Sequence, residues 1–148
     1  MVNIEHITVE NVRHKISRRA ALVFEDATIE KVVQVILKDP KTRCVYTIDK
    51  QGKLTGIITL TTLAKYALKS SVPHPLWNFR TIDFVADHLA GTIKTEPIFV
   101  HDRDDLETAF QKMFNHDLEE LPVVDDTGKV IGNLDMLELL TTTLQERK

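Results

Sequence analysis

Apolar residues recur along this chain at helical spacing in four places, and the four fall into two pairs. Ile29, Val32, Val33, Ile36 and Leu37 stand at i, i+3, i+4, i+7 and i+8, the stripe that one face of an α-helix buries. Leu106, Ala109, Phe110, Met113 and Phe114 repeat that stripe 77 residues on. Asp26 or Thr28 before the first, and Asp104 or Asp105 before the second, offer the short oxygen-bearing side chain that accepts from free N–H groups at a helix start. The second pair is Leu60, Leu63, Ala64, Ala67 and Leu68, matched by Met136, Leu139, Leu140, Thr143 and Leu144 at a shift of 76. Short β-rich runs fill the spaces between: 21–24, 44–48 and 54–58, answered by 97–100, 121–124 and 130–134.

The connecting turns repeat as well. Asp49, Gly52, Lys53 and Gly56 recur as Asp125, Gly128, Lys129 and Gly132, again shifted by 76. The change from 77 to 76 needs one loop residue removed between Leu37 and Val45, where Pro40 disfavours helix on both sides. Each half therefore reads β-α-β-β-α, an α+β unit. A unit of about 60 residues buries little apolar surface alone, so the two copies are expected to pack on each other as a pseudo-twofold pair. The expected division is residues 9–70, a linker at 71–80, and residues 81–146. Ser70, Ser71, Val72, Pro73, His74 and Pro75 have linker character, with Trp77 and Phe79 pinning the segment to the body. Residues 81–90 read as a lead-in helix with Ile82, Val85, Ala86 and Leu89 on one face and Gly91 near its end; residues 9–19 hold the equivalent place before the first copy.

Composition narrows the class. With 43% hydrophobic and 28% charged residues and only five Gly and five Pro among 148, the chain is neither disordered nor low-complexity. A net charge of −3 gives no global field for nucleic acid or an anionic membrane, so nucleic acid is not the expected partner. Cys44 is the single cysteine, which excludes an internal disulfide and a Cys-rich zinc site and fits a reducing, cytoplasmic setting. The uncharged run from residue 54 to 64 is too short to cross a bilayer, and the first ten residues lack a basic-then-apolar leader, so neither anchor nor export is expected.

Two copies of strand, capped helix, strand, Asp-x-x-Gly-Lys turn, strand, Gly and helix resemble a tandem pair of cystathionine-β-synthase (CBS) domains over residues 12–145. The resemblance implies a Bateman-type regulatory module rather than a catalyst. It further implies an adenosine-containing ligand such as AMP, ATP or S-adenosylmethionine in a cleft between the paired domains, with no required cofactor, and assembly into a disc-shaped homodimer.

The family's ligand motif, Gly-apolar-x-Thr/Ser-x-x-Asp, lies where the third strand enters the last helix. Its placement has physical sense: unpaired N–H groups at a helix start favour phosphate, the hydroxyl adds a donor, and the Asp accepts from two ribose hydroxyls. In the first copy Gly56 and Thr59 match, and Thr62 stands where Asp is usual. Phosphate support survives there, and the bidentate ribose clamp does not. In the second copy Gly132 is followed by Asp135 in the hydroxyl position and Glu138 in the ribose position. Asp135 either meets the phosphate or caps the helix; as a phosphate neighbour at 4 Å it repels by about 4 kcal/mol at an effective dielectric of 20. Thr59 has the same two readings. The resemblance also assigns the base slot of the first cleft to Cys44, Tyr46 and the surroundings of Arg18, against a core role for Cys44. In the second, weaker cleft Thr95, Leu121 and Pro122 take comparable places.

Arg13, His14, Lys15, Arg18 and Arg19 form the one basic cluster, either a solvated segment end or a site for phosphate or an acidic partner protein. The six histidines form no His-x-x-x-His pair, so no metal site is expected. No Gly-rich phosphate loop, Gly-x-Ser-x-Gly elbow or paired-cysteine motif is present, and the chain reads as non-catalytic. Two functions remain: a regulatory module sensing an adenosyl ligand and relaying it through dimer or partner contacts, or a dimerisation and protein-interaction module whose nucleotide sites have degenerated.

Overall fold

The structure, a computed structural model, describes residues 4, 6–15, 19–69 and 89–147. Its elements in chain order are α1 (Val9–Val12), β1 (Leu22–Phe24), α2 (Ile29–Lys38), β2 (Cys44–Ile48), β3 (Leu54–Thr59), α3 (Leu60–Lys69), α4 (Ala90–Ile93), α5 (Leu106–Asn115), β4 (Glu120–Val124), β5 (Val130–Asp135) and α6 (Met136–Glu146). The order β-α-β-β-α therefore occurs with both periodic helices in place in each copy, though the first strand of the second copy shrinks to one residue. The linker at 71–80, with Trp77 and Phe79, lies outside the described residues.

The chain folds as two compact units that do not coincide with the two sequence repeats. The first-repeat unit comprises residues 21–50 and 55–97. The second-repeat unit comprises residues 1–20, 51–54 and 98–148. Each unit thus takes the lead-in segment that precedes the other repeat.

In the first-repeat unit, β1, β2 and β3 form one sheet in that order. β1 runs parallel to β2, with Leu22 opposite Tyr46, Val23 opposite Thr47 and Phe24 opposite Ile48. The parallel pairing requires a crossover, and α2 supplies it. The apolar stripe predicted for α2 supplies Ile29 and Val32 to a core shared with Val23, Val45, Ile58, Leu63, Ala90 and Ile93. Ala90 and Ile93 arrive from the other side of the linker. The Ala90 N–H donates to the Ala27 carbonyl at 2.7 Å, and the Gly91 N–H to that of Glu25 at 2.8 Å. Leu89 is extended (φ −85°, ψ 145°), so α4 begins at Ala90 rather than ending there, and Gly91 lies inside it. Residues 81–88 of the expected lead-in helix lie outside the described residues.

The second-repeat unit is built on the antiparallel pair β4–β5, whose register shifts between Val123 and Val124. Residues 97–100 do not form the expected strand: Val100 alone pairs with Val123, in parallel. Pro97 has no N–H to give, and the Phe99 carbonyl is taken by Lys112 Nζ at 2.7 Å, which leaves little to extend the ladder. α1 docks here, with the Val9 N–H donating to the Asp104 carbonyl at 2.8 Å and the Leu106 N–H to that of Ile7 at 3.1 Å. The turn at 51–54 belongs to this unit too, the Leu54 N–H donating to the Gly128 carbonyl at 2.9 Å. Gly52 (φ +85°) and Gly128 (φ +90°) supply the left-handed residue that each Asp-x-x-Gly turn needs.

Of the alternative caps, Thr28 serves α2, accepting from the Lys31 N–H, and Asp105 serves α5, accepting from the Thr108 N–H at 2.7 Å. Thr28→Ala and Asp105→Ala are each expected to cost about 1 kcal/mol in urea unfolding at pH 7. The two differ in acid. The Thr108 backbone N–H holds the Asp105 carboxyl below the usual carboxylate range. A folded-state value below the unfolded one makes this contribution complete above about pH 4 and lost as pH falls through the lower folded value. The Asp105→Ala penalty should therefore shrink at pH 2–3 and that of Thr28→Ala should persist; equal persistence of both would contradict the assignment.

Candidate functional site

Each repeat carries its Gly-x-x-hydroxyl or Gly-x-x-Asp motif at the junction of a strand and the helix that follows it. In the first-repeat unit β3 enters α3 through Thr59. The Thr59 hydroxyl accepts from the Thr62 N–H at 3.0 Å and donates to Thr62 Oγ1 at 2.9 Å. No acidic residue stands in the first turn of α3. Gly56 is the point of closest backbone approach: a Cβ there would lie 2.5 Å from the Thr95 carbonyl oxygen and 2.9 Å from Lys94 side-chain carbons. Thr95 is held in place because its N–H and its hydroxyl both donate to the Ile57 carbonyl, at 2.9 and 3.1 Å. Lys94 Nζ donates to the Thr55 carbonyl at 3.0 Å.

Thr95 belongs to the first-repeat unit and pairs with Ile57 of β3, whereas Leu121 and Pro122 belong to β4 of the second-repeat unit. This membership follows from the exchange of lead-in segments, a long-range pairing with no local signature. Cys44 and Tyr46 are buried in β2, Tyr46 with no exposed surface. Arg18 lies outside the described residues. Lys94 is a residue the sequence reading missed; its position next to Thr95 was the available signal.

The second-repeat unit has the same backbone plan and different chemistry. Asp135 caps α6, its carboxylate accepting from the Leu137 N–H at 2.8 Å. Glu138, buried, turns back to accept from the Asp135 N–H at 2.9 Å, completing a capping box. Glu120 and Asn133 are also buried, and Asn133 Nδ2 donates to Glu120 Oε2 at 3.1 Å. Leu121 and Pro122 lie buried in β4 between these groups and Val100. Over Gly132 lies Arg13, whose guanidinium pairs with Asp102 (Nε–Oδ1 2.6 Å, Nη2–Oδ2 3.2 Å). Lys15 Nζ donates to Thr142 Oγ1 at 3.0 Å and to Gln145 Oε1 at 3.2 Å. These two members of the basic cluster serve the second repeat. Glu120 and Asn133 escaped the sequence reading because strand alternation alone does not mark a buried polar pair.

The electrostatic contrast is direct. At the start of α6 two carboxylates already satisfy backbone N–H groups that an anion would need; at the start of α3 a neutral hydroxyl does so. A cavity of about 330 Å³ lies at neither motif, beside Phe99, His101 and the Asp125–Gly128 turn. Its acidic groups are engaged: the Asp125 carboxylate accepts from Thr127 and Lys129, and Asp126 pairs with Arg103.

The pattern of the CBS domain matches residues 8–69 and 87–143. The chain belongs to the CBS domain family. It is 30% identical over 115 residues to Protein SDS23 of Scheffersomyces stipitis, a match covering 78% of this chain and 21% of that protein. This chain therefore spans about a fifth of the length of that curated relative. A CBS domain-containing protein from Thermotoga maritima superposes with a TM-score of 0.77 at 31% identity, covering 95% of this chain and 96% of that one. CBS domain protein PAE2072 from Pyrobaculum aerophilum, complexed with AMP, gives a TM-score of 0.72 at 19% identity, covering 95% and 97%. The CBS domain pair of protein MJ0100, in complex with 5′-methylthioadenosine and S-adenosyl-L-methionine, gives 0.69 at 19% identity, covering both chains fully. The α+β CBS pair is the fold, and CBS pairs are regulatory modules. Among the described residues no helix is long and apolar enough to cross a membrane.

Proposed function

We propose that this CBS pair is a non-catalytic, cytoplasmic regulatory module that binds an adenosine-containing ligand, chiefly at the first-repeat motif, and relays occupancy through homodimer or partner-protein contacts. The observation that carries this reading is the difference between the two helix starts. α3 opens with Thr59 and no carboxylate, whereas α6 is closed by Asp135 and Glu138. Two proteins of the same fold hold adenosyl ligands, AMP in one and S-adenosylmethionine with methylthioadenosine in the other, which supports the ligand class.

At the first site the α3 N-terminus favours the phosphate, and rotation about the Thr59 Cβ–Oγ1 bond turns its proton from Thr62 to a phosphate oxygen. Thr62 offers ribose a single hydroxyl in place of a carboxylate, so the sugar is held less firmly than by Asp. Cys44 and Tyr46 form the apolar backing, and Arg18 is the basic residue assigned to this site. At the second, weaker site Thr95, Leu121 and Pro122 are the assigned walls, Glu138 stands in the ribose position, and Asp135 opposes any phosphate. Occupancy acts by shifting populations, which requires differential affinity for two arrangements of the chain.

Thermal unfolding with AMP, ADP, ATP, NAD, S-adenosylmethionine and adenosine tests the reading. A ligand at 100 times its dissociation constant adds about 2.7 kcal/mol, which moves the midpoint upward by several degrees. At least one of the six is expected to do so. No shift with any of them would sink the ligand-sensing function.

A further inference from the structure

The 330 Å³ cavity beside the second Asp-x-x-Gly turn has a chemical bias that the proposed function does not use. Leu54, Phe99 and Val124 are its apolar walls, and His101, Asp125 and Asp126 bring polar atoms to it. His101 Nδ1 lies 3.1 Å from the Val124 carbonyl, a contact that only an Nδ1–H makes, so in the neutral ring Nε2 carries the free lone pair. Asp125 accepts from the Thr127 N–H, the Thr127 hydroxyl and the Lys129 N–H, all through Oδ1, and Asp126 takes Arg103 through its own Oδ1. Among the described residues, His101 Nε2 and the Oδ2 atoms of both aspartates have no hydrogen-bond partner. The donors around these acceptors go elsewhere. Beyond those of Thr127 and Lys129, the Gly128 N–H gives to the Asp125 carbonyl at 3.0 Å and the Leu54 N–H to that of Gly128 at 2.9 Å. The cavity therefore offers acceptors ahead of donors.

We infer that this cavity binds a small organic cation, an amine or amidine with a short apolar or aromatic body. The N–H groups of such a molecule meet His101 Nε2 and the carboxylate Oδ2 atoms, its positive charge strengthens the bonds to the carboxylates, and its body lies against Leu54, Phe99 and Val124. The volume stands at the lower end of the range of about 300–1,000 Å³ usual for small-molecule sites, which suits a single ring or a short chain. A phosphate or carboxylate would meet two negative groups instead. Arg103, itself 67% exposed, already answers Asp126 Oδ1 and shows the kind of group that this rim attracts. The first repeat lacks the arrangement. Val100 pairs with Val123 as Val23 pairs with Thr47, so His101 stands where the first repeat has Phe24, and Asp126 where it has Lys50. Asp125 is shared with the first repeat as Asp49 and serves the turn; His101 and Asp126 are particular to this copy.

The inference goes beyond the adenosyl reading and uses another part of the chain, so failure of ligand sensing leaves it standing. Benzamidine is the probe, with benzoate as its anionic counterpart of similar shape. NMR titration of the full chain should show one benzamidine bound per chain, amide shifts centred on residues 99–101 and 124–128, and no comparable response to benzoate. His101→Phe and, separately, Asp126→Lys give the second repeat the residues of the first. Each should weaken benzamidine binding at least about tenfold, as loss of a hydrogen bond to a charged partner does, with circular dichroism unchanged. The Asp126 side chain is 81% exposed, so its replacement leaves the core untouched. Absence of benzamidine binding at millimolar concentration overturns the inference. So do equal binding of benzoate, shifts centred on Thr59, or an affinity that survives either folded variant.

Discussion

Gly56→Ala is expected to destabilise the chain by about 3 kcal/mol, and Gly132→Ala by about 1 kcal/mol or less, although the two glycines are duplicates of one position. At Gly56 the obstruction is backbone: the added carbon would stand 2.5 Å from the Thr95 carbonyl oxygen. That carbonyl has little room to give, because the Thr95 N–H and hydroxyl both anchor to the Ile57 carbonyl. Forcing one methyl into a closed approach costs 1–3 kcal/mol, and a fixed backbone neighbour places this site at the top of that range, about 3. At Gly132 the obstruction is the guanidinium end of Arg13, also 2.5 Å away but at the tip of a flexible side chain. Arg13 swings aside and loosens its ion pair with Asp102, an interaction worth about 1 kcal/mol in a partly exposed setting. Urea unfolding of the two variants measures the difference. Equal costs, or a larger one at Gly132, would contradict the packing described for the two motifs.

Thr62→Asp should tighten adenosine binding about tenfold or more. The substitution restores an acceptor able to take both ribose hydroxyls, and hydrogen bonds to a charged group contribute about 1.5–3 kcal/mol against about 1 for a neutral one. The negative charge in the first turn of α3 is also favourable to the helix. The competing outcome is visible in the second repeat, where Glu138 at the duplicated position folds back on the Asp135 N–H. Asp is one methylene shorter than Glu, and the reciprocal capping box favours Glu or Gln there, so Asp at position 62 is the better ribose acceptor. Calorimetry with adenosine and 2′-deoxyadenosine separates the two. The gain should appear with adenosine and largely vanish with the deoxy ligand; an equal gain with both would show that the carboxylate acts on the helix rather than on the sugar.

Much of the fold was legible because its signals are local. The i, i+3, i+4 stripes placed α2 and α5 to within one residue at their ends, and Thr28 and Asp105 cap because each immediately precedes the first helical residue while Asp26 and Asp104 do not. The strand at 44–48 was read to the residue, since it is a continuous apolar run between a Pro-containing loop and an Asp-x-x-Gly turn. What escaped was long-range. Thr95 follows the linker in sequence yet pairs with Ile57, and Val100 keeps one bridge of an expected strand because Lys112, from α5, claims the neighbouring carbonyl. Neither pairing leaves a periodicity to read. Glu120 was hidden for a related reason, as a carboxylate is ordinarily read as surface and this one is buried beside Asn133 of the neighbouring strand; for Glu138, named from the motif, it was the burial and the hydrogen bond back to the Asp135 N–H that left no local trace.

On the proposed function, duplication left one anion-competent helix start and one closed by its own carboxylates. Isothermal titration of the wild-type chain with AMP, repeated on Thr59→Ala and Asp135→Ala, tests it most directly. One AMP per chain is expected to bind, clearly weakened by Thr59→Ala and not weakened by Asp135→Ala. Two equivalent sites per chain, or weakening by Asp135→Ala alone, would contradict it.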